Sequence, residues 1–413
     1  EARIRPPAST SAWVGVMAAV AEWRSLFGRA TEGLARAWQR RPLLLLRAEP
    51  TIAGRLTLAD VAPLVDGGVL PAGCAAIGGD ARDWRSAPLQ APLTEVLPTT
   101  TAYVNNAGLY IPALAELCLA AVDALGWPVT CNAYLSAPGL EVSVPAHTDR
   151  QDVLVLQTSG RKRWSVFAPL DVGSADPLRQ GKDGSVMCQE ELGQPVLEVT
   201  LSPGDALYVP LGFPHATSTQ CSGEADTGIE AASGKPGEAE REAGICAARD
   251  PSVHITMNLD SLIWGLSYRL LWAAALRRAR LASGQADSAE EEHRTAGMAW
   301  AQYAALQAPL PLGFLAQGEA GAGWLGGSLA EDLRRRAAEW GGGAGAGEVH
   351  DHHVQASLAM LLEHREAVLR LHRHMYIDVL LGLSGGSPLE REMGHWQLLQ
   401  AQMAALRRSF GWD

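Results

Sequence analysis

The sequence lacks the features that mark several common classes of protein. Its six cysteines form no CxxC pair, which favours free thiols in a reducing compartment over a disulfide framework or a zinc ribbon. No apolar run approaches the roughly 20 residues that a membrane-spanning helix needs. A formal net charge of −11 argues against binding to nucleic acid or to an anionic membrane, because both require basic patches.

The composition that remains is that of a globular protein. Hydrophobic residues make up 47% and charged residues 19% of 413 residues, enough for a sizeable core and for two domains, or for one domain with a large extension. The distribution of residue types along the chain predicts three regions. Residues 1–128 mix helix and strand, residues 129–260 contain short strands between Gly and Pro turns, and residues 261–413 are helical.

The middle region predicts an antiparallel sandwich or barrel, because its short strands follow one another without a long helix between them. A Gly-, Ala- and Glu-rich stretch at 219–250 shows little periodicity, and we interpret it as a mobile insertion between two strands. In the C-terminal region, apolar residues recur at helical spacing along a helix of about 351–383, and a last helix covers 388–410. We expect this helical pair to form a dimerisation module.

One constellation in the middle region points to a metal. His147 and Asp149 are two apart and therefore share a face if they extend a strand. His215 follows a Gly-Asp turn and another strand, 66 residues after Asp149 (215 − 149), which leaves room for antiparallel strands to return it to the same site. Two histidines and one carboxylate with open positions form the facial triad of non-haem Fe(II) oxygenases. The alternative is an ordinary hydrogen-bonded polar pair.

A lysine is placed to accompany that metal. By alternation Lys162 shares a strand face with Trp164 and Val166, so it is carried towards the core. A buried ammonium is costly without a partner, and a carboxylate ligand would provide one. Asn132 and Tyr134 share a face of an earlier strand and offer an amide and a hydroxyl. The alternative for Lys162 is a surface lysine in a basic turn.

Other histidines have plainer interpretations. His254 has the strand parity to face the same cavity, although a satisfied core histidine is our default. The "HDHHVQ" stretch at 350–355 is taken as a solvated helix start rather than a metal site. His364 and His374 are predicted on the wetter flanks of the long helix, and His372 on its packed stripe.

The stretches "HTDRQDVLVLQTSGRKRW" and "GDALYVPLGFPH" resemble the JmjC oxygenases, within them the cupin-like branch that contains the ribosomal oxygenases. The resemblance covers roughly residues 41–285 and is strongest at 132–164 and 204–215. It implies a mainly β core with α, namely a double-stranded β-helix of the cupin or jelly-roll type, followed by the C-terminal helical module.

The resemblance also implies a cofactor set of Fe(II) and 2-oxoglutarate, with O2 as oxidant. The implied iron ligands are His147, Asp149 and His215. The residues implied to hold 2-oxoglutarate or to line its pocket are Lys162, Tyr134, Asn132 and Asn258. Three positions depart from the family pattern: Thr148 replaces a usual aromatic residue, Arg150 a frequent acid, and Asn258 a frequent serine. The departures bear on the substrate rather than on the metal.

The function implied is hydroxylation of a protein side chain, with a histidine of a ribosomal protein as first choice. Three alternatives remain open: a histone lysine demethylase with the same centre, a metal cupin that acts on a small molecule without 2-oxoglutarate, and a non-catalytic JmjC scaffold. We expect a protein substrate, no direct contact with nucleic acid or membrane, and a homodimer. The resemblance implies an intracellular protein of the nucleus or nucleolus. The chain starts at Glu1, so a removed leader, and with it the cytoplasm or an organelle, stays open.

Overall fold

The core of the molecule is a pair of antiparallel sheets with helices on one outer face. The computed structural model describes residues 10–70, 75–77, 85–87, 89, 91–170, 187–220, 250–260, 263–284, 304, 307–317, 329–339, 347–383 and 388–410. No helix within these ranges is both long and apolar enough to cross a bilayer. The predicted insertion at 219–250 lies almost wholly outside them.

The strands run in chain order through both sheets. They are β1 (Leu43–Leu46), β2 (Ala75–Ile77), β3 (Arg85–Ala87), β4 (Thr101–Val104), β5 (Val129–Ser136), β6 (Val144–His147), β7 (Asp152–Ser159), β8 (Lys162–Phe167), β9 (Pro195–Leu201), β10 (Ala206–Val209), β11 (His215–Ser218) and β12 (Ser252–Leu259). The larger sheet has the order β1-β10-β7-β12-β5-β4-β2-β3, and the smaller has the order β6-β11-β8-β9.

The helices precede, interrupt and follow these strands. They are α1 (Thr10–Ala37), α2 (Leu58–Asp66), α3 (Leu93–Val96), α4 (Pro112–Leu125), α5 (Gln189–Leu192), α6 (Tyr268–Ala282), α7 (Leu329–Glu339), α8 (Asp351–Leu380) and α9 (Pro388–Phe410). Short 3-10 turns occupy Leu97–Thr99, Ala107–Leu109 and Gly313–Gln317. Helix α2 begins after Thr57, whose backbone N–H donates to the Asp60 carboxylate at 2.8 Å as in a capping box.

Strands β7, β10 and β12 of the larger sheet are buried on both faces. Alternate residues of β5, β7, β10 and β12 enter the main core beneath the helices, among them Leu135, Leu156, Tyr208 and Ile255. The opposite parity faces the smaller sheet and forms a second core with Trp164 and its neighbours. The inward face is therefore enclosed between two sheets, as in the double-stranded β-helix that the resemblance implies.

The helical layer ties the two ends of the chain to the middle. Asp123 of α4 forms an ion pair with Arg24 of α1 and another, at 2.7 Å, with Arg373 of α8. The hydroxyl of Tyr376 donates to the carbonyl of Val129 at 2.6 Å. Helix α8 is thus fastened to α4 and to the larger sheet.

Most predicted elements are present, with two corrections. The long C-terminal helix ends at Leu380 rather than at 383. His364 is 4% exposed and its Nε2 lies 3.1 Å from the carbonyl oxygen of Trp264, so its prediction as a wet flank residue was wrong. The helix packs on a neighbour there, which periodicity within one helix cannot reveal. His374 is exposed and His372 buried, as predicted.

The predicted region boundaries stay predictions. Four strands that precede residue 129, namely β1 to β4, belong to the larger sheet. The sheet that supports the candidate site therefore draws on both the first and the second predicted region.

Candidate metal and co-substrate site

Three side chains converge at the edge where the smaller sheet meets the loop after β6. His147 ends β6 and lies directly across from His215, the first residue of β11. Asp149 follows His147 by two residues, just beyond the strand. One ligand atom from each side chain lies within 4.8 Å of the others. Antiparallel pairing thus places the two histidines together although they are far apart in the chain.

Both imidazoles are oriented by the backbone. Nδ1 of His147 is 2.8 Å from the carbonyl oxygen of Pro145, and Nδ1 of His215 is 3.0 Å from that of Phe213. A carbonyl can only accept, so each Nδ1 carries the proton and each Nε2 carries the lone pair. Histidine ligands of protein metals are commonly oriented by such a second hydrogen bond.

The lone pairs point at the carboxylate. Nε2 of His147 is 4.0 Å from Oδ1 of Asp149, and Nε2 of His215 is 3.5 Å from Oδ2. The two histidines are buried and the Asp149 side chain is 18% exposed. Two nitrogens and one oxygen on one side of a partly open cleft fit a divalent transition metal such as Fe(II), with further positions left for other ligands.

Lys162 is fully buried beside this cleft, as its strand parity predicts. Its Nζ donates to the Oγ of Ser136 at 2.8 Å, and no carboxylate among the described residues pairs with it. Burial lowers the pKa of Lys162 to about 7. The surroundings of Lys162 therefore fit a small anionic ligand, which would supply the missing countercharge.

Two aromatic side chains form a wall near Lys162. The rings of Tyr134 and His254 stack with centroids 5.0 Å apart and planes inclined by 2°. Burial raises the pKa of the Tyr134 phenol, which keeps it a hydrogen-bond donor. Burial, with the nearby charges of Lys162 and His215, lowers the pKa of His254 well below its usual range. Its buried Nδ1 has no hydrogen-bond partner in the described part of the chain, so His254 also fits a polar ligand.

The two asparagines have other contacts. Oδ1 of Asn132 accepts from the backbone N–H of Asn106 at 3.0 Å, and Nδ2 of Asn258 donates to Thr130 at 3.1 Å. The Asn132 side chain is close enough to the Tyr134 phenol to oppose the rise of its pKa. Neither asparagine lines the cleft around the triad. Their place at the 2-oxoglutarate pocket stays a prediction. The residues that line the cleft are Tyr134, Val144, His147, Asp149, Val153, Trp164, His215, Thr217, His254 and Thr256.

Ser136 is the site residue that the sequence reasoning missed. It is fully buried and bridges Lys162 to the hydroxyl of Thr101, which donates to it at 3.0 Å. The strand alternation that selected Asn132 and Tyr134 also points to Ser136. His254, whose parity was noted although a core role was preferred, lines the cleft.

Comparison with known proteins gives a match for the central region. Residues 111–233 match the family model described as "JmjC domain". A bifunctional lysine-specific demethylase and histidyl-hydroxylase NO66 of Drosophila mojavensis is 36% identical over 117 residues, 28% of this chain and 13% of that protein. The protein of the same name from Culex quinquefasciatus is 35% identical over 114 residues, 28% of this chain and 17% of its own length. The chain thus spans less than a fifth of these relatives.

Among solved structures, the chain is similar to ycfD of E. coli, with 17% identity, a TM-score of 0.39, and coverage of 65% of this chain and 62% of that one. Another structure of that ribosomal oxygenase, in complex with cobalt and 2-oxoglutarate, has 19% identity and a TM-score of 0.36, and covers 65% and 62%. The segment that matches the JmjC domain model, residues 111–233, contains all three residues of the converging triad.

Proposed function

We propose that this chain is an Fe(II)- and 2-oxoglutarate-dependent dioxygenase that hydroxylates a protein side chain. The observation that carries the proposal is the His147, Asp149 and His215 triad in one cleft. Lys162 is buried beside that cleft and has no carboxylate partner among the described residues. The matched relatives are named as demethylase and histidyl-hydroxylase, and both activities are oxygenase activities. We propose a histidine side chain of a ribosomal protein as the first substrate to test.

The roles of the residues follow from their contacts. The triad would hold Fe(II). Each Nδ1–H donates to a backbone carbonyl, so each imidazole can bind the metal through Nε2 as a neutral ligand. Lys162 would take the distal carboxylate of 2-oxoglutarate, and that anion would raise the pKa of Lys162 again. Tyr134 would donate from its protonated phenol, and Asn132 would orient it. Bound Fe(II) with 2-oxoglutarate and O2 supplies the oxidation of an unactivated C–H bond.

Visible absorption under anaerobic conditions tests the metal and co-substrate together. Purified protein is titrated with Fe(II) and then with 2-oxoglutarate. A charge-transfer band should appear only after both additions, because it requires the co-substrate to chelate the bound iron. The band should vanish in His147→Ala and weaken in Lys162→Ala.

His374→Ala is the matched control, because His374 is an exposed histidine of α8 whose Nδ1 contacts the carbonyl of Arg370. It should behave as the wild type. If wild-type protein binds iron without developing a band on addition of 2-oxoglutarate, the proposal is wrong and the metal-cupin alternative takes its place.

The reaction product distinguishes hydroxylation from demethylation, and a triad variant distinguishes an oxygenase from a non-catalytic scaffold. With candidate peptides, hydroxylation adds one oxygen atom to the peptide, whereas demethylation releases formaldehyde, and mass spectrometry distinguishes the two. A non-catalytic scaffold would keep its cellular function in His215→Ala, and an oxygenase would lose it. Presence of all three triad residues in one cleft supports an oxygenase.

The remaining partner predictions concern the last helices. We propose homodimerisation through α8 and α9, supported by exposed apolar side chains on α9, namely Met393, Trp396 and Leu398. Sedimentation equilibrium of wild type and Trp396→Glu tests this, since a charge in an apolar interface should shift the equilibrium to monomer. Residence in the nucleus or nucleolus stays a prediction.

A further inference from the structure

A buried carboxylate lies behind the metal site, on the outer face of the larger sheet. Asp152, the first residue of β7, is fully buried. Its Oδ1 accepts from the Tyr208 hydroxyl at 2.5 Å and from the backbone N–H of Leu211 at 3.2 Å. Its Oδ2 accepts from Nε2 of Gln39 at 3.1 Å. The backbone N–H of Gln39 in turn donates to the Tyr208 oxygen at 2.9 Å.

This cluster joins the loop that contains Asp149 to the turn that precedes His215. Asp152 ends the loop that begins at Asp149, and Leu211 lies in the turn that leads to His215. A second bond links the same loops, from the N–H of Gly212 to the carbonyl of Asp149 at 3.3 Å. The same turn supplies the Phe213 carbonyl that orients the His215 imidazole.

The residues that follow α1 also bind to this cluster. Gln39 follows that helix in a left-handed conformation, with φ of 52°, and this turn directs both its side-chain amide and its backbone N–H into the cluster. The Tyr208 ring stacks on Trp38, with centroids 5.6 Å apart. None of these contacts reaches the interior of the cleft, because Asp152 and Tyr208 have the strand parity that faces the helices.

We propose that Asp152 is a positioning residue for the metal centre: its carboxylate holds the loop after Asp149 and the turn before His215 in fixed register, and Tyr208 and Gln39 hold the carboxylate. The inference rests on the proposed function, since it assumes that the triad binds a metal. It adds a role for three residues that do not contact the metal, and it connects the N-terminal helix to the site.

The physical argument is preorganisation. A metal gains affinity when its ligands are already held in the required arrangement, because ordering them then costs little on binding. Asp149 lies in the loop after β6 and His215 directly follows the turn after β10, so the distance between them depends on the bonds between that loop and that turn. Removal of the Asp152 acceptor leaves a buried N–H of Leu211 without a partner and allows the two loops to separate.

The test is the affinity of the full chain for Mn(II), measured by the loss of the free-ion electron paramagnetic resonance signal as metal-free protein is added. Asp152→Ala should raise the dissociation constant about tenfold, the usual range for loss of a residue that orients metal ligands. Tyr208→Phe keeps the ring and its stack on Trp38 but removes the hydroxyl, and it should raise the dissociation constant by a smaller factor. If Asp152→Ala fails to fold, Tyr208→Phe decides the question alone.

The matched control is Asp205→Ala. Asp205 is another buried carboxylate, 2% exposed, that accepts from Arg47 at 2.9 Å and from two backbone N–H groups. It precedes β10, whereas the His215 turn follows the other end of that strand. We expect Asp205→Ala to lower the thermal midpoint as Asp152→Ala does while the Mn(II) dissociation constant stays at the wild-type value.

Asp152→Asn separates hydrogen bonding from charge, because the amide oxygen can still accept from Leu211. It should bind Mn(II) within about threefold of wild type. Equal Mn(II) affinity in wild type and Asp152→Ala, or equal weakening in Asp205→Ala, overturns the inference and leaves the proposed function standing. A wild-type protein that binds no Mn(II) overturns both.

Discussion

The ammonium group of Lys162, which we propose to hold the co-substrate, is fully buried. Among the described residues its one hydrogen bond is to Ser136. A charged group in that position loses its hydration without an equal return, so it destabilises the fold that contains it. Such a residue is expected where binding of a ligand, rather than folding, compensates for the burial.

Lys162→Met should therefore stabilise the metal-free protein, on the order of 3 kcal/mol at neutral pH, while it removes binding of 2-oxoglutarate. The folded-state pKa of Lys162 is lowered to about 7 from 10.5. The cost of burying the charged ammonium is fully present below pH 7, where the folded and unfolded states are both protonated. Between pH 7 and pH 10.5 the folded state has lost the proton and the unfolded state has not, so the cost decreases as pH rises. Urea denaturation of both proteins at pH 6.5 and pH 9.5 measures this.

Arg163→Met is the neighbouring control. Arg163 is partly exposed and pairs with Glu198 at 3.0 Å, a contact worth at most about 1 kcal/mol. Its effect should be small and should not decrease with pH. A Lys162→Met protein that is less stable than wild type would show that the lysine supports the fold instead.

At the scale of elements, the turn between β7 and β8 sets the position of Lys162. Gly160 occupies this turn with φ of 59°. A Cβ added there would lie 2.5 Å from the carbonyl oxygen of Pro251, which belongs to the backbone and cannot move aside easily. The tight turn thus depends on glycine for two reasons, its dihedral angle and the close approach of a neighbouring strand.

Gly160→Ala should lower the free energy of unfolding by about 3 kcal/mol, through the left-handed conformation and the steric conflict together. Gly139→Ala isolates the first contribution, because Gly139 has φ of 80° and nothing within 4 Å of an added Cβ. It should cost about 1 kcal/mol. Equal losses in the two variants, measured by chemical denaturation, would show that the approach of Pro251 is not limiting.

At the scale of the whole molecule, buried ionisable groups predict how stability varies with pH. Burial raises the pKa of Asp152 to about 6 and that of Asp260 to about 7. Each carboxyl has a higher pKa in the folded state than in the unfolded state, so folding takes up protons between about pH 4 and pH 7, and stability falls over that window. Lys162 acts in the opposite sense above pH 7. These three groups together place a stability minimum of the metal-free protein near neutral pH.

Asp260→Asn tests the acidic side of this minimum. The variant should match wild type near pH 4, where the carboxyl is protonated in both states, and should be more stable by on the order of 2 kcal/mol at pH 8. Thermal unfolding across pH 4–8 gives the comparison. A constant difference at all pH values would mean that the hydrogen bond from Thr130, rather than ionisation, governs the effect.

The sequence by itself determined the local elements and the identity of the candidate triad. Strand alternation predicted that Lys162 faces inward, because this signal lies within a few residues of the lysine. The His147, Asp149 and His215 set could be chosen from residue type, turn chemistry and the JmjC resemblance.

Only the tertiary structure decided which distant groups meet. The Ser136 contact to Lys162, the burial of His364 against Trp264 and the Asp152 cluster depend on strand register and helix packing between residues up to 169 positions apart. Periodicity shows which face of an element is buried and not what lies against it. The partner of a buried polar group is set by the packing of the whole molecule.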